Sequence, residues 1–328
     1  MRVSVVLCTY DPALYDAFRE AAESVLAQTY DDRELVIVVD GNEDLAAQVE
    51  AEYGGREDVT TYCNDTNRGL LESRNTGAQL ASGEVVAFID DDAVADPDWL
   101  AELVDTYERH DALATGGRMV GQWVAGRPRF LPAEFYFLVG VTHRGFANGP
   151  SEVRNTNGSN ISVRREVFEE LGGFDSAIGG RKGDSHLQGG ETELCERLRC
   201  EYGEGVWYTP SAVVSHKVFA YRTDPVWLAR RAFWQGYSKR AMAVLVPGSG
   251  TEESDFLSRL ATEFVPGRIQ RLLAAPTVGR AERLCVLLAL VACVGFGYAY
   301  GALRYAWTKP AGQPTDESES EHDSGGER

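Results

Sequence analysis

Lysine is nearly absent: only Lys182, Lys217, Lys239 and Lys309 occur among 32 basic residues, against 50 acids, for a formal charge of −18. That imbalance argues against nucleic acid as a partner, because its phosphates need basic side chains to neutralise them. The same excess of acid with scarce lysine suits solubility in concentrated salt. Cysteine is sparse and unclustered. The six residues, at positions 8, 63, 195, 200, 285 and 293, form no CxxC pair, which argues against a zinc site or disulfide framework and for reduced thiols. No leader segment is visible either, since residues 1–10 read directly as a strand. Long uncharged runs are missing until Leu284–Leu303, 20 residues without a charge, the length needed to cross a bilayer. Arg268, Arg271, Arg280 and Arg283 precede this run, and only Arg304 and Lys309 closely follow it. The positive-inside rule therefore predicts a single pass through the cell membrane with the large N-terminal part in the cytoplasm. Gly297 and Gly301 form a GxxxG that can pack two such helices, though small residues alone are the commoner reading.

What the chain does have is a repeated unit: an apolar strand, an acid at its exit, then a helix. VSVVLC (3–8) leads to Thr9 and Asp11, LVIVV (35–39) to Asp40, and residues 59–63 to Asn64 and Asp65. VVAFI (85–89) leads to Asp90, Asp91 and Asp92. Continuous apolar runs fit strands covered on both faces, and alternation with helices predicts a mostly parallel, doubly wound α/β sheet. Asp11-Pro12 and Asp96-Pro97 read as helix starts, with an N-cap and a proline at the first helical position. Residues 115–160 lose the periodicity and collect glycine, proline and aromatics, which reads as loops and irregular strands around a packed aromatic core.

Three adjacent carboxylates at a strand end repel one another and resist desolvation unless a cation or hydrogen-bond donors offset the cost. Oxygen-rich sites of this kind suit Mg2+ or Mn2+, and ligands in open α/β sheets bind beyond the carboxyl ends of the strands. His216 follows another predicted strand. A lone histidine is more often structural, but imidazole also completes metal sites whose other ligands are acids. Residues 179–190 hold five glycines and run into Glu191 at a helix start, so a closing loop would bring that carboxylate to a substrate. The basic and aromatic run RRAFWQGYSKR (230–240) suits a membrane surface or a helix packed on the sheet. Asn157 and Asn160 match glycosylation acceptors, which a cytoplasmic location would make irrelevant.

The series VSVVLCTYD, LVIVVDGN, NRGLLESRNTGA, EVVAFIDDDAVADPDWL, GSNISVRREVFEELGGFD and GGETELCERL resembles family 2 glycosyltransferases, in order, over residues 3 to about 240. The resemblance implies a GT-A type fold, an inverting reaction, and a nucleotide-sugar donor whose diphosphate leaves with the help of Mn2+ or Mg2+. Thr9, Asp11 and Asp40 match the positions that hold base and ribose, and Arg74 a basic residue near the nucleotide. Asp90 and Asp91 match positions that reach ribose or sugar, and Asp92 the metal ligand. Glu191 falls where the family places an aspartate as general base. This chain reads Gly190-Glu191 there in place of an acidic pair, so Glu193 is the alternative. The C-terminal part resembles archaeal members that extend dolichyl-phosphate-linked saccharides for protein N-glycosylation. That implies UDP-glucuronic acid as donor, with Arg118, Arg181 or Lys182 open as partners of its carboxylate. The implied organisation is a catalytic domain (1–245), an amphipathic membrane-proximal segment (246–283), a transmembrane helix (284–303) and a disordered acidic tail (304–328).

The chemistry stands on the residues as well. A departing diphosphate concentrates negative charge that a cation at Asp92 would stabilise, and an acceptor hydroxyl needs a carboxylate within reach to take its proton. Other readings stay open: a dolichyl-phosphate sugar synthase, a surface-polysaccharide glycosyltransferase, and a catalytically inactive membrane scaffold. An aspartate-based phosphotransfer enzyme would need a downstream lysine, which the shortage of lysine disfavours.

Overall fold

A computed structural model describes residues 1–147, 149–178, 180–182, 185–246 and 253–306. In chain order the elements are β1 (Val3–Thr9), α1 (Tyr15–Leu26), β2 (Arg33–Asp40), α2 (Glu43–Tyr53), β3 (Val59–Asn64), α3 (Leu70–Leu80), β4 (Val85–Asp90), β5 (Ala93–Ala95), α4 (Trp99–His110) and β6 (Ala114–Trp123). There follow β7 (Ser151–Val153), β8 (Ile161–Arg164), α5 (Arg165–Glu170), β9 (Gly180–Lys182), β10 (Ser185–Leu187), α6 (Gly190–Tyr202) and β11 (Val206–Val218). The chain closes with α7 (Pro225–Leu245), α8 (Glu253–Arg259), α9 (Val265–Ala274) and α10 (Val278–Arg304).

Alternation within the buried strands sets the layers. Val3, Val5 and Leu7 of β1 and Val85, Ala87 and Ile89 of β4 face one core, with Phe18 of α1, Val49 of α2 and Trp99 of α4. Val6, Val86 and Phe88 face the other, with Ala78 of α3, Phe168 of α5 and Leu194 of α6. Helices thus cover both faces, which is why these strands carry no polar face. The sheet order is β3-β2-β1-β4-β8-β6-β11-β5, with β7 also on β11. β3, β2, β1 and β4 run parallel, β8 is antiparallel to both its neighbours, and β6 and β11 run parallel again. The chain steps outward from β1 to β3 and then returns to β1's other side as β4. This reversal opens a crevice at the carboxyl ends of β1 and β4.

Local signals differ from expectation in four places. Asp11 does cap, its Oδ1 accepting from Ala13 N–H at 2.9 Å, but the first turn it starts is a 3₁₀ turn. Ahead of α4 the helix begins only at Trp99, and Asp98 accepts from Thr29 instead of capping. β6 is a regular ten-residue strand despite Gly116 and Gly117. A Cβ on Gly117 would lie 1.8 Å from the Ala212 carbonyl oxygen, so glycine there marks a close backbone approach. β11 runs on past His216, which lies inside the strand, and its register with β6 shifts between Thr209 and Val213.

A third core joins the C-terminal helices to the aromatic stretch. Leu131, Phe135, Leu138 and Val139 pack with Leu228 and Ala232 of α7, Phe264, and Leu287 and Leu290 of α10. Glu134, fully buried, accepts from Arg268 of α9 and faces Arg144 at 3.6 Å. The predicted aromatic core is therefore present, and α7 packs on α10 as well as on the domain. The GxxxG glycines serve this contact within one chain: a Cβ on Gly297 would lie 1.8 Å from the Phe233 carbonyl oxygen, and one on Gly236 1.9 Å from that of Val294. Helix α10 is long and apolar enough to cross a membrane, with 22% of its most apolar stretch buried in the protein. The acidic tail beyond residue 306, with Lys309, and the side chains of Arg181 and Lys182 lie outside the described residues.

Candidate functional site

The crevice gathers the acids of β4's exit with groups from β1, α3, α6 and β11 and from the turn that follows β11. Thr9, at the end of β1, donates to Asp91 Oδ2 at 2.8 Å. Burial, reinforced by the charges of Asp92 and Asp90, pushes the Asp91 carboxyl up to about 7 against the opposing pull of the Thr9 hydroxyl. Asp92 is 4% exposed. Burial alone would raise its pKa as well, but His216 and Arg222 beside it hold it below the ordinary carboxylate value.

The histidine and arginine come from β11 and the turn after it. His216 Nε2 lies 3.3 Å from Asp92 Oδ1 and 2.9 Å from Arg222 Nη1, while Arg222 Nη2 donates to Asp92 Oδ2 at 2.8 Å. One nitrogen cannot donate to a carboxylate and accept from a guanidinium at once. The contacts to Asp92 and to Arg222 therefore belong to different tautomers of the His216 ring. Ligand atoms of Asp90, Asp92 and His216 all lie within 4.8 Å of one another. Two carboxylates and an imidazole fit a divalent cation of the manganese or magnesium type. Gly140, at φ +76, presses on this imidazole; a Cβ there would lie 2.7 Å from Cε1.

Arg74 joins the cation side to the base side. It is 1% exposed, an arrangement that is costly unless carboxylates compensate. Nη2 reaches Asp90 Oδ1 at 2.6 Å and Nη1 reaches Glu191 Oε1 at 3.1 Å. The guanidinium also stands 5.8 Å from the Phe88 ring centre and 5.7 Å from that of Phe174, which fixes its plane. Glu191, on the first turn of α6, keeps 27% of its side chain exposed and so opens to the cleft. Glu193, the alternative base, is 5% exposed and clamped by Arg197 through both oxygens.

Not every expected residue converges here. Asp40 accepts from Arg68 N–H, Gly69 N–H and Asn64 Nδ2, each at 2.8 Å, and so pins the turn after β3. Asp11 is engaged as a cap at the neighbouring strand end. Arg118 is exposed on β6. Sequence reading missed Arg222, whose only signal was that the Asp224-Pro225 helix start left residues 219–223 as a turn next to His216. It read the 157–159 stretch as a glycosylation acceptor and not as part of the site. A Cβ on Gly158 would lie 2.0 Å from Glu191 Oε1 and 2.7 Å from Arg74 Nη1, and Ser159 Oγ accepts from the Asp90 N–H at 2.9 Å.

Comparison with known proteins bears on what this geometry serves. Residues 4–172 match the sequence model of Glycosyl transferase family 2. The chain is 50% identical over 304 residues, 92% of its length and 97% of the relative's, to the glucosyl-dolichyl phosphate glucuronosyltransferase of Haloferax volcanii. It is 26% identical over 241 residues, 72% of this chain and 73% of the other, to the succinoglycan biosynthesis protein ExoM of Rhizobium meliloti. In fold it resembles the mannosyltransferase PcManGT of Pyrobaculum calidifontis, solved with GDP-Man and Mn2+, with a TM-score of 0.57 at 20% identity over 93% of this chain and 87% of that one. A mixed sheet with its acids at the switch point, a carboxylate across the cleft and a full-length relative of known class agree, and the chain belongs to glycosyl transferase family 2 and is a glycosyltransferase.

Proposed function

We propose that the chain transfers glucuronic acid from UDP-glucuronic acid, with inversion, onto a dolichyl-phosphate-linked saccharide in protein N-glycosylation. The observation that carries the mechanism is the linkage Asp92, Asp90, Arg74, Glu191 across one cleft, a cation set on one side and an exposed carboxylate on the other. The donor and acceptor are supported by the full-length relative that is named for them.

Glu191 takes the proton of the acceptor hydroxyl as its oxygen bonds to the anomeric carbon, and the bond from that carbon to the diphosphate oxygen breaks on the opposite face. A single displacement of this kind inverts the anomeric centre. A Mn2+ or Mg2+ ion held by Asp92, His216 and Asp90 would stabilise the charge on the leaving diphosphate. Arg222 adds a second positive charge on that side. Thr9 orients Asp91 toward the donor. Asp11 and Asp40 border the base-binding edge, Asp40 by shaping the 64–69 turn.

Helix α10 anchors the enzyme by a single pass, and the arginines preceding it keep the catalytic part on the cytoplasmic face. The acidic, lysine-poor surface fits a halophilic setting, so assays belong in concentrated salt. Mass spectrometry of lipid-linked saccharides, after incubation of membranes with a panel of nucleotide sugars, tests the reading. The expected product is glucosyl-dolichyl phosphate carrying one added glucuronosyl mass. Sugar added only to bare dolichyl phosphate would make the enzyme a synthase instead, and no addition under any donor would leave it a scaffold.

A further inference from the structure

One cationic side chain at the cleft, half-buried Arg231, has a buried nitrogen with no partner among the described residues. Arg74, Arg154, Arg197 and Arg268 are each paired with a carboxylate. Arg231, on α7, makes no hydrogen bond or ion pair among the described residues, and its Nε is buried without a partner. Burial and the nearby Arg222 charge push its pKa down to about 10, with Glu191 pulling the other way. A half-buried guanidinium with an unpartnered Nε is stabilised when an anion meets it.

Its placement says where that anion lies. Close glycine contact with α10 fixes the rotation of α7 about its own axis. Arg231 and Ser238 are separated by two helical turns, about 10 Å along one face. Ser238 Oγ accepts the Gln188 N–H at 2.8 Å, so this face looks onto the segment that leads into Glu191. The Gln188 amide carries buried oxygen and nitrogen atoms that also lack partners. Arg231 therefore stands between the Glu191 side and the Arg222 side, where the transferred sugar must sit. The diphosphate is already met by Arg222 and the cation set. We infer that Arg231, with Gln188, binds the carboxylate of the transferred uronosyl residue and sets donor specificity. A planar guanidinium matches a carboxylate through two parallel hydrogen bonds, and a side-chain amide adds one more donor.

This assignment rests on the proposed donor, and the test separates the two. Full-length enzyme, wild type and Arg231→Gln, is assayed with UDP-glucuronic acid and with UDP-glucose. Each donor is offered glucosyl-dolichyl phosphate and an alkyl glucoside without phosphate. A site built to bond a polar group rejects the analogue lacking it by large factors. Arg231→Gln should therefore lower kcat/KM for UDP-glucuronic acid by about 100-fold or more and change UDP-glucose transfer by less than about 5-fold, collapsing the preference. Arg231→Lys should restore part of it. UDP binding with Mn2+ and thermal unfolding, unchanged in the variant, exclude a folding defect; where Arg231→Gln does not fold, Gln188→Leu reads the same preference. Equal loss with both donors, relieved on the phosphate-free acceptor, would assign the anion to the acceptor's phosphate and overturn the inference. Unaltered preference overturns it as well. A wild-type enzyme that accepts no uronic-acid donor would overturn the donor reading, and the assignment with it.

Discussion

The two walls of the cleft are built on different principles. On the sheet wall, Asp90, Asp91 and Asp92 stand at the end of a strand whose residues 85–89 are all buried, the first four of them paired with strands on both sides. The helical wall carries Glu191 on α6 and Arg231 on α7. It is held by side-chain pairs, by glycine contacts with α10, and by the short β9-β10 hairpin packed on α7. A strand end inside a sheet can hold mutually repelling charges at fixed spacing because the ladder resists their separation. A helix pair can move as a body, which suits groups that must close on a sugar and release it. On the proposed mechanism, the fixed charge belongs to the sheet and the groups that meet the substrate belong to the helices.

The comparison breaks most severely on the sheet wall. Asp92→Asn removes a proposed cation ligand and the partner of both His216 and Arg222, so transfer should fall by about 10³-fold or more, with metal-dependent UDP binding lost in titration calorimetry. Glu191→Gln comes next. It should lower kcat by about 10² to 10³-fold while UDP binding with Mn2+ stays near wild type, a split visible by combining steady-state rates with calorimetry. Glu193→Gln serves as the contrast. Its partner is Arg197, so its effect should appear in thermal unfolding, by about 1 to 3 kcal/mol, with much less in kcat. Loss of kcat with Glu193→Gln instead would move the base.

How much of this could be read in the chain follows the same division. β1, β2 and β4 were legible because strands buried on both faces leave continuous apolar runs, and their acids stand out at the exits. Glu191 was legible as a carboxylate after a glycine-rich loop. β6 was not, since Gly116 and Gly117 answer to Thr156 and Ala212, residues distant in sequence. Arg222 and Arg231 leave only weak local signals, a turn before a helix start and a basic, aromatic run; what they face is fixed only once β11 and α7 fold back over the cleft. The Asn157-Gly158-Ser159 stretch carried a signal of the wrong kind. It looked like a modification site, whereas the missing Cβ of Gly158 is what lets Glu191 and Arg74 meet. GxxxG likewise reported close helix packing correctly but not the partner, which is α7 of the same chain.

Smaller effects sharpen the contrast. Gly158→Ala places a methyl 2.0 Å from Glu191 Oε1, so that side chain or the loop must shift by more than an ångström. The cation set is not touched directly. The expected result is a kcat lower by about 10-fold with an unaltered metal requirement, because misplacing a catalytic group by this much is enough to slow transfer. An altered metal affinity would show that the two walls are mechanically joined at Arg74 more tightly than their architecture implies.

Gly236→Val asks the weakest and most distant question, whether the helical wall depends on its seat against α10. The added side chain meets the Val294 carbonyl at 1.9 Å, and neither backbone can yield without spreading the helix pair. Overpacking of this kind costs about 1 to 3 kcal/mol, read as a lowered unfolding temperature in detergent. If α10 positions α7, the variant should also lose a few-fold in transfer from UDP-glucuronic acid and leave UDP binding with Mn2+ intact, because the sheet wall does not rest on that contact. Loss of both together would mean that the anchor stabilises the whole domain, and the helical wall would then be no more independent than the strand that carries the acids.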